Sequence, residues 1–224
     1  MTPDVVKIYQ TLLQEITNLL HEPGSRLSEE ALVERFGISR TPIRDVLKRL
    51  EGDGLLDIQP KSGTYVSKID LNDITAVVFI RSSVELEAMN SLCGCLNEKT
   101  ISAAKESLQE QEKLLKDASS MKKEDFANAF LKADNDFHLS LYRAVGKETV
   151  LQVLNQSHPR YQRFRYLTGY RDIEESRNLY QIHQRILLDL EKGDHASLKE
   201  DVYSHNYAGL SGIQSVKDSH PDWF

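Results

Sequence analysis

The stretch that decides the fold is FGISRTPIRDVL, residues 36–47. Gly37 permits a tight turn, and a new helix follows it because Ser39 or Thr41 can cap the first turn. Pro42 suits that first turn, where a backbone N–H is not needed. Apolar residues recur at helical spacing along one side of this helix: Ile43, Val46, Leu47 and Leu50. The segment therefore predicts a turn and then a helix with one buried face.

Two further helices precede this segment. Apolar residues at helical spacing predict a helix over residues 5–20, which Pro23-Gly24 ends. Ser28 can cap a second helix, Glu29–Phe36, which runs into the Gly37 turn. The N-terminal region thus begins with a helix-turn-helix.

Two short strands follow the third helix. Leu55–Gln59 and Thr64–Ser67 have strand character, and Pro60–Gly63 forms the turn between them. Helices followed by a hairpin predict a winged helix-turn-helix, whose third helix enters the DNA major groove by its N-terminal end. The wing tip, with Lys61 and Gly63, can lie along the DNA backbone because glycine permits close approach.

The third helix carries a local basic stripe. Arg40 and Arg44 lie four residues apart on one face, where a guanidinium fork can bind guanine or a phosphate, and Thr41 adds a hydroxyl and a methyl group. A solvated helix face explains the same spacing equally well. The stripe matters because residues 1–69 as a whole are not basic, with nine Lys and Arg against ten Asp and Glu.

Length and composition restrict the class of protein. The chain has 224 residues, of which 40% are hydrophobic and 28% charged, with a net charge of −6. This balance excludes disordered and collagen-like proteins. No apolar run reaches the ~20 residues that span a bilayer, and no secretory signal is visible. Two cysteines cannot form a disulfide framework, so we expect a cytoplasmic protein without membrane partners.

The pattern changes after Asp70. About six helices are predicted from there to residue 217, and the tail from residue 215 onward is expected to fray. We therefore expect a mainly α protein: a winged helix-turn-helix over residues 1–69 and an all-helical bundle over residues 70–224.

Three histidines lie on apolar helical stripes in the second region: His138, His183 and His205. Asp134 precedes His138 by four residues, so both side chains share one helical face. Each gap between the histidines is about one helical hairpin, so neighbouring helices could aim these side chains at one interior point. Three imidazoles and a carboxylate suit a divalent Zn, Ni, Mn or Fe ion. Three separately hydrogen-bonded core histidines are the alternative.

The N-terminal motifs match one known pattern. Residues 23–29 read PGSRLSE, residues 36–47 read FGISRTPIRDVL, and residues 50–55 read LEGDGL. Over residues 5–67 the chain resembles the GntR family of bacterial transcription regulators.

The resemblance implies that Arg40, Thr41 and Arg44 read DNA and that Gly63 marks the wing. Many relatives carry arginine where this chain has Glu30, which weakens the expectation of a base contact from the second helix. Arg35 is a candidate phosphate contact instead, with a surface role equally open.

The second region resembles the FCD ligand-binding domain, which defines the FadR-type branch of that family. DNDFH at residues 134–138, with His183 and His205 downstream, matches its D..FH…H…H pattern. The helix count is similar to the shorter, VanR-like version. The resemblance implies that Asp134, His138, His183 and His205 are the metal ligands.

Arginines near this predicted centre are candidates for an effector contact. Arg81, with Glu85 one turn on, is similar to an arginine–glutamate pair of that domain and could clamp an organic acid. Pairing with Glu85 alone is the alternative. For the cluster Arg160, Arg163, Arg165 and Arg171, a solvated face is the favoured interpretation.

Together the resemblances imply a DNA-binding regulator, not an enzyme. We expect a homodimeric repressor on a double-stranded DNA operator, controlled by a small carboxylate bound at the metal site. A regulator that senses metal alone is one alternative. A helical metalloenzyme with an accessory DNA domain is the other.

Overall fold

The computed structural model describes residues 3–156, 159–170 and 172–224. Within these ranges the chain forms eleven α-helices and three short β-strands. The helices are α1 (Pro3–Thr17), α2 (Glu29–Phe36), α3 (Arg40–Gly52), α4 (Leu71–Asn90), α5 (Glu98–Asp117), α6 (Lys123–Ala144), α7 (Glu148–Gln156), α8 (Pro159–Arg165), α9 (Ile173–Lys192), α10 (His195–Ser211) and α11 (Ile213–Ser219). The strands are β1 (Arg26–Leu27), β2 (Leu56–Gln59) and β3 (Gly63–Val66). The predicted mainly α fold class is confirmed.

The chain groups into two compact units. The first unit is Met1–Ile74, Ser157–Phe164 and Gln214–Phe224, and the second is Thr75–Gln156 and Arg165–Ile213. The predicted boundary between residues 69 and 70 stays a prediction. No helix in the described ranges combines the length and the apolar character that crossing a bilayer requires.

The first unit contains the winged helix-turn-helix. Ser28 Oγ accepts from the Ala31 amide and so caps α2, while Gly37, with φ of +63°, ends that helix. Ser39 occupies the N-cap position of α3, although its side chain makes no capping hydrogen bond. The core of this unit is built from the inward faces of the three helices and the sheet: Leu12, Ile16, Leu32, Ile43, Val46, Leu50, Leu56 and Val66.

The wing is an antiparallel sheet with strand order β1-β3-β2. The predicted hairpin forms, with Leu56 opposite Val66 and Gln59 opposite Gly63. Strand β1 was not predicted, because two residues are too short to show the alternation that identifies a strand.

Helices α4 to α10 supply the second unit, with the start of α4 and most of α8 in the first. The chain after residue 70 has eight helices in its described part, where about six were predicted. Gly212 separates α10 from α11.

The C-terminal tail is ordered, so the expectation that it frays is wrong. Residues of α11 are helical, and Trp223 is buried. The Ile69 amide donates to the Trp223 carbonyl at 2.8 Å. An aromatic anchor and a backbone hydrogen bond together hold the tail in the first unit.

Candidate functional site

The N-terminal tip of α3 presents the basic side chains that the sequence singles out. Arg40 and Arg44 leave 61% and 59% of their side chains exposed, and Thr41 is exposed beside them. The opposite face of α3 is fully buried, which fixes the direction in which the basic face points. Unpaired N–H groups of the first turn add an attraction for phosphate.

Two acidic side chains hold these arginines in the free protein. Arg44 Nε donates to Glu29 Oε2 at 2.9 Å, and Arg40 Nη2 lies 3.7 Å from Glu30 Oε1. Both acids lie in the first turn of α2, where the helix dipole favours negative charge. The guanidinium groups of Arg40 and Arg44 are thus held at the tip of α3 by Glu30 and Glu29 in the protein alone.

The wing tip combines unusual backbone geometry with positive charge. Lys61 is exposed and has φ of +65°, and Gly63 has φ of +137°. A Cβ atom at Gly63 would lie only 3.0 Å from Arg26 Nε. Glycine at this position therefore lets the Arg26 guanidinium, which extends from β1, lie against the wing.

Arg35 is engaged with the first helix. Its Nη1 donates to Glu15 Oε2 at 2.9 Å, and its Nη2 contacts the other oxygen of the same carboxylate. The hydrogen bond from Arg35 lowers the pKa of Glu15. This pair connects α2 to α1, and the predicted phosphate contact of Arg35 stays a prediction.

The second unit brings the four predicted metal ligands together. Helix α6 supplies Asp134 and His138, α9 supplies His183, and α10 supplies His205. All four side chains are buried, and one ligand atom from each lies within 4.8 Å of the others. We call these four residues the histidine cage. The expectation that they converge, made from their spacing, agrees with this geometry.

The donor atoms of the cage face a common point. His183 Nε2 lies 2.8 Å from His205 Nε2, and Asp134 Oδ1 lies 3.4 and 3.6 Å from these two nitrogens. Asp134 Oδ1 and both ring nitrogens of His138 have no hydrogen-bond partner among the described residues. Buried polar atoms of this kind are rare in folded proteins. Three imidazoles and one carboxylate fit a divalent transition metal.

Gln111 on α5 orients His183. Its Nε2 donates to the Ala133 carbonyl at 3.3 Å, so its Oε1 is the atom 2.9 Å from His183 Nδ1. An amide oxygen only accepts, so His183 Nδ1 carries the proton and Nε2 keeps its lone pair for the cage. Such outer partners fix the tautomer of metal-binding histidines.

Glu85 on α4 faces His138. Its Oε1 lies 3.8 Å from His138 Nδ1 and 3.2 Å from Arg81 Nη2, and its Oε2 accepts from Asn206 at 2.6 Å. Arg81 is buried and also donates to Asn155 Oδ1 at 3.0 Å. Arg81 therefore contacts Asn155 as well as Glu85, so the alternative that it pairs with Glu85 alone is wrong. The contact of Arg81 with an effector stays a prediction.

The arginine cluster of α8 is only partly solvated. Arg160 is exposed in part and pairs with Asp73, as a surface residue would. Arg163 and Arg165 are buried, so the solvated-face interpretation is wrong for them. Arg163 Nη1 donates to the Ser67 carbonyl at 2.7 Å. Arg171 lies outside the described residues.

Arg165 binds the cage directly. Its Nη2 donates to Asp134 Oδ2 and to the Tyr170 hydroxyl, and its Nη1 donates to Asn135 Oδ1 at 3.2 Å. Asp134 thus turns Oδ2 to Arg165 and Oδ1 to His183 and His205. Sequence reasoning placed Arg165 on a solvated face rather than against Asp134, and it missed Gln111. For Gln111 a signal existed, since it is a polar residue on the apolar face of α5.

Burial and charge set the protonation of the cage. Burial is the main cause that lowers the pKa of His138, to about 4, and it also brings the pKa of His183 well below its ordinary value. Burial alone would raise the pKa of Asp134, but Arg165 and the histidines outweigh it and hold that pKa well below its usual range. Neutral imidazoles and an ionised carboxylate are the forms that bind metal.

We expect Gln111→Leu to weaken divalent-metal binding roughly 10- to 100-fold, because His183 loses the acceptor that fixes its tautomer. Competition against a chromogenic chelator measures this affinity. Gln109→Leu is the matched control, since Gln109 is exposed on the same helix. Equal affinities for both variants would show that Gln111 does not orient the cage.

Comparison with known proteins follows the same division of the chain. Residues 5–66 match the family described as "Bacterial regulatory proteins, gntR family", and residues 76–207 match the FCD domain. One relative is the HTH-type transcriptional repressor RspR of Escherichia coli K12, which is 25% identical over 97% of this chain and 92% of its own. Another is the HTH-type regulator YdfH of Escherichia coli O6:H1, 25% identical over the whole of this chain and 95% of its own.

A solved structure shares the fold. E. coli McbR/YncC has a TM-score of 0.70 at 18% identity, and the match covers 96% of this chain and 99% of that one. At this identity the likeness concerns the fold.

Proposed function

Because the chain belongs to the GntR family and carries an FCD domain, it is a DNA-binding transcriptional regulator, and we propose that it is a repressor controlled by a carboxylate at a metal site. The observation that carries the proposal is the convergence of the histidine cage within 4.8 Å. The relative RspR is named a repressor, which favours that sign of regulation.

The DNA-binding surface in this proposal is the tip of α3 together with the wing. Arg40, Thr41 and Arg44 contact base edges or phosphates in the major groove, and Lys61 and Gly63 follow the backbone. One recognition helix buries too little surface for tight specificity, so the protein acts as a homodimer on an inverted repeat. Arg35 reaches a phosphate only by giving up Glu15.

The effector site in this proposal is the histidine cage with Arg81. A divalent Zn, Ni, Mn or Fe ion, held by the four cage residues, would supply a Lewis acid for a carboxylate oxygen. Gln111 and Arg165 hold His183 and Asp134 in the orientation that such an ion needs, and Glu85 places a carboxylate 3.8 Å from His138 Nδ1. Arg81 places a positive charge beside Glu85 for the organic acid.

Regulation follows from thermodynamic linkage. An effector that binds one conformation of the dimer better than the DNA-competent one lowers operator affinity, and DNA lowers effector affinity by the same factor. A repressor of this kind acts where the chromosome is, in the cytoplasm. We propose no catalytic role, since the named relatives are regulators.

Operator binding measured with and without acid tests the proposal. The operator is first selected from random duplex DNA with the wild-type protein, and its affinity is then followed by fluorescence anisotropy. We expect one or more of citrate, malate, gluconate and lactate to weaken binding 5- to 150-fold in the metal-loaded protein, the usual range of allosteric coupling. A response to metal alone, with none to any acid, would support the metal-sensing alternative.

A further inference from the structure

A polar stripe on α6 continues beyond the cage. Asp134, His138 and Tyr142 are spaced four residues apart and so share one face of the helix. The first two belong to the histidine cage. Tyr142 lies one turn further on, and only 1% of its surface is exposed.

The Tyr142 hydroxyl has no hydrogen-bond partner among the described residues. A buried hydroxyl without a partner is costly, and tyrosines in protein interiors usually find one. The neighbouring His138 has two ring nitrogens in the same situation. The Tyr142 ring packs in an apolar cluster with Leu151 and Leu154, while its hydroxyl and the His138 nitrogens, one helical turn apart, are the unsatisfied groups that a polar occupant would meet.

The charged groups around Tyr142 define what that occupant is. Burial, followed by the negative charge of Glu85, raises the pKa of the Tyr142 phenol, so it stays protonated and donates. Arg81 and Glu85 pair on α4, whose Val84 and Ala88 pack against the cluster that contains Tyr142, so the positive charge of Arg81 lies on the helix that faces the phenol. Both oxygens of Glu85 are already engaged, by Arg81 and Asn206. A phenol donor beside a guanidinium suits an anionic acceptor, and a carboxylate is the simplest one.

We infer that Tyr142 is a binding residue for the carboxylate effector, with its hydroxyl donating to a ligand oxygen one helical turn from His138. The inference rests on the proposed function and adds to it a contact outside the four cage residues. It also assigns selectivity to Tyr142, because a ligand must bring an acceptor to a fixed place beside the cage.

Tyr142→Phe tests this, because it removes the hydroxyl and keeps the ring. Thermal unfolding of the full-length protein is measured alone and with citrate, malate, gluconate or lactate. Without acid, we expect the melting temperature of Tyr142→Phe to equal or exceed that of the wild type, since no protein hydrogen bond is lost. With the acid that stabilises the wild type most, we expect the apparent Kd to rise roughly 10- to 100-fold.

Tyr9→Phe is the contrasting control. Tyr9 is also buried, but its hydroxyl donates to Asp53 at 2.6 Å, so its removal should lower the melting temperature. Metal content of Tyr142→Phe should equal that of the wild type, because the cage residues are untouched.

Two results would overturn the inference. A melting temperature of Tyr142→Phe that falls as far as that of Tyr9→Phe would mean that the hydroxyl serves the fold. An unchanged acid affinity would mean that it does not meet the ligand. If the wild-type protein responds to none of the four acids, the proposed carboxylate effector is itself contradicted. That result differs from a wild type that responds and a Tyr142→Phe variant that responds equally, which contradicts only the role of Tyr142.

Discussion

Arg44→Ala should lose specific binding to an operator selected by the wild-type protein. Arg44 is exposed at the tip of α3, where its guanidinium fork can bind guanine O6 and N7 or a phosphate. Each lost bidentate contact is worth ~1–3 kcal/mol, and a symmetric dimer would lose two of them. Footprinting and anisotropy titration at fixed salt measure the effect.

The fold of this variant should be unaffected. Among the described residues, the ion pair that it removes is the one with Glu29, and solvent screens such a pair so that it contributes little to stability. Arg185→Ala is the matched control, since Arg185 is an exposed arginine that pairs with one carboxylate, that of Asp201. Both variants lose one positive charge. An Arg44→Ala protein that protects the same site at wild-type affinity would show that α3 does not read the DNA through this residue.

The double variant His183→Ala/His205→Ala should contain no bound metal, while the wild type carries about one divalent ion per chain. The two substitutions leave only Asp134 and His138, and two ligands do not make a structural or regulatory metal site. Elemental analysis of protein purified without added chelator measures the content.

Histidines outside the cage provide the control for this experiment. His195 and His220 are exposed, so His195→Ala/His220→Ala removes the same number of imidazoles and should keep the metal. Removing two buried side chains can also destabilise the second unit. Asp134→Asn carries the same risk, because it leaves the buried Arg165 guanidinium without its charged partner, so metal content is compared only on variants whose unfolding transition matches that of the wild type. Equal metal content in wild type and double variant would refute the cage as a metal centre.

Local patterns predicted the first unit well. The series 36–47 encodes a turn, a cap position, a buried face and a basic tip within one short segment, and each of these depends only on near neighbours. Strand β1 was missed for the same reason, since two residues that pair with distant β3 carry no local pattern.

The candidate site divides in a similar way. Asp134 and His138 could be predicted as ligands from their spacing of four residues on one helix. His183 and His205 could be predicted because each is a histidine on an apolar helical stripe. Their outer partners come from other helices: Gln111 from α5, and Arg165 from the end of α8. Such pairings depend on how the helices pack, which spacing along the chain does not encode. Charged residues on a short helix predicted a solvated face, and Arg165 is buried because Asp134 compensates its charge.

The contact between Glu29 and Arg44 has a consequence for how the protein depends on ionic strength. When Arg44 binds DNA, it exchanges the Glu29 carboxylate for an acceptor on the duplex. The release of sodium or potassium ions from the DNA is therefore accompanied by the loss of an ion pair within the protein. Affinity should therefore decline less steeply with added electrolyte than the number of arginines at the surface suggests. The same exchange weakens non-specific binding, because at an arbitrary sequence the contact of Arg44 with DNA adds little to what its ion pair with Glu29 already provides.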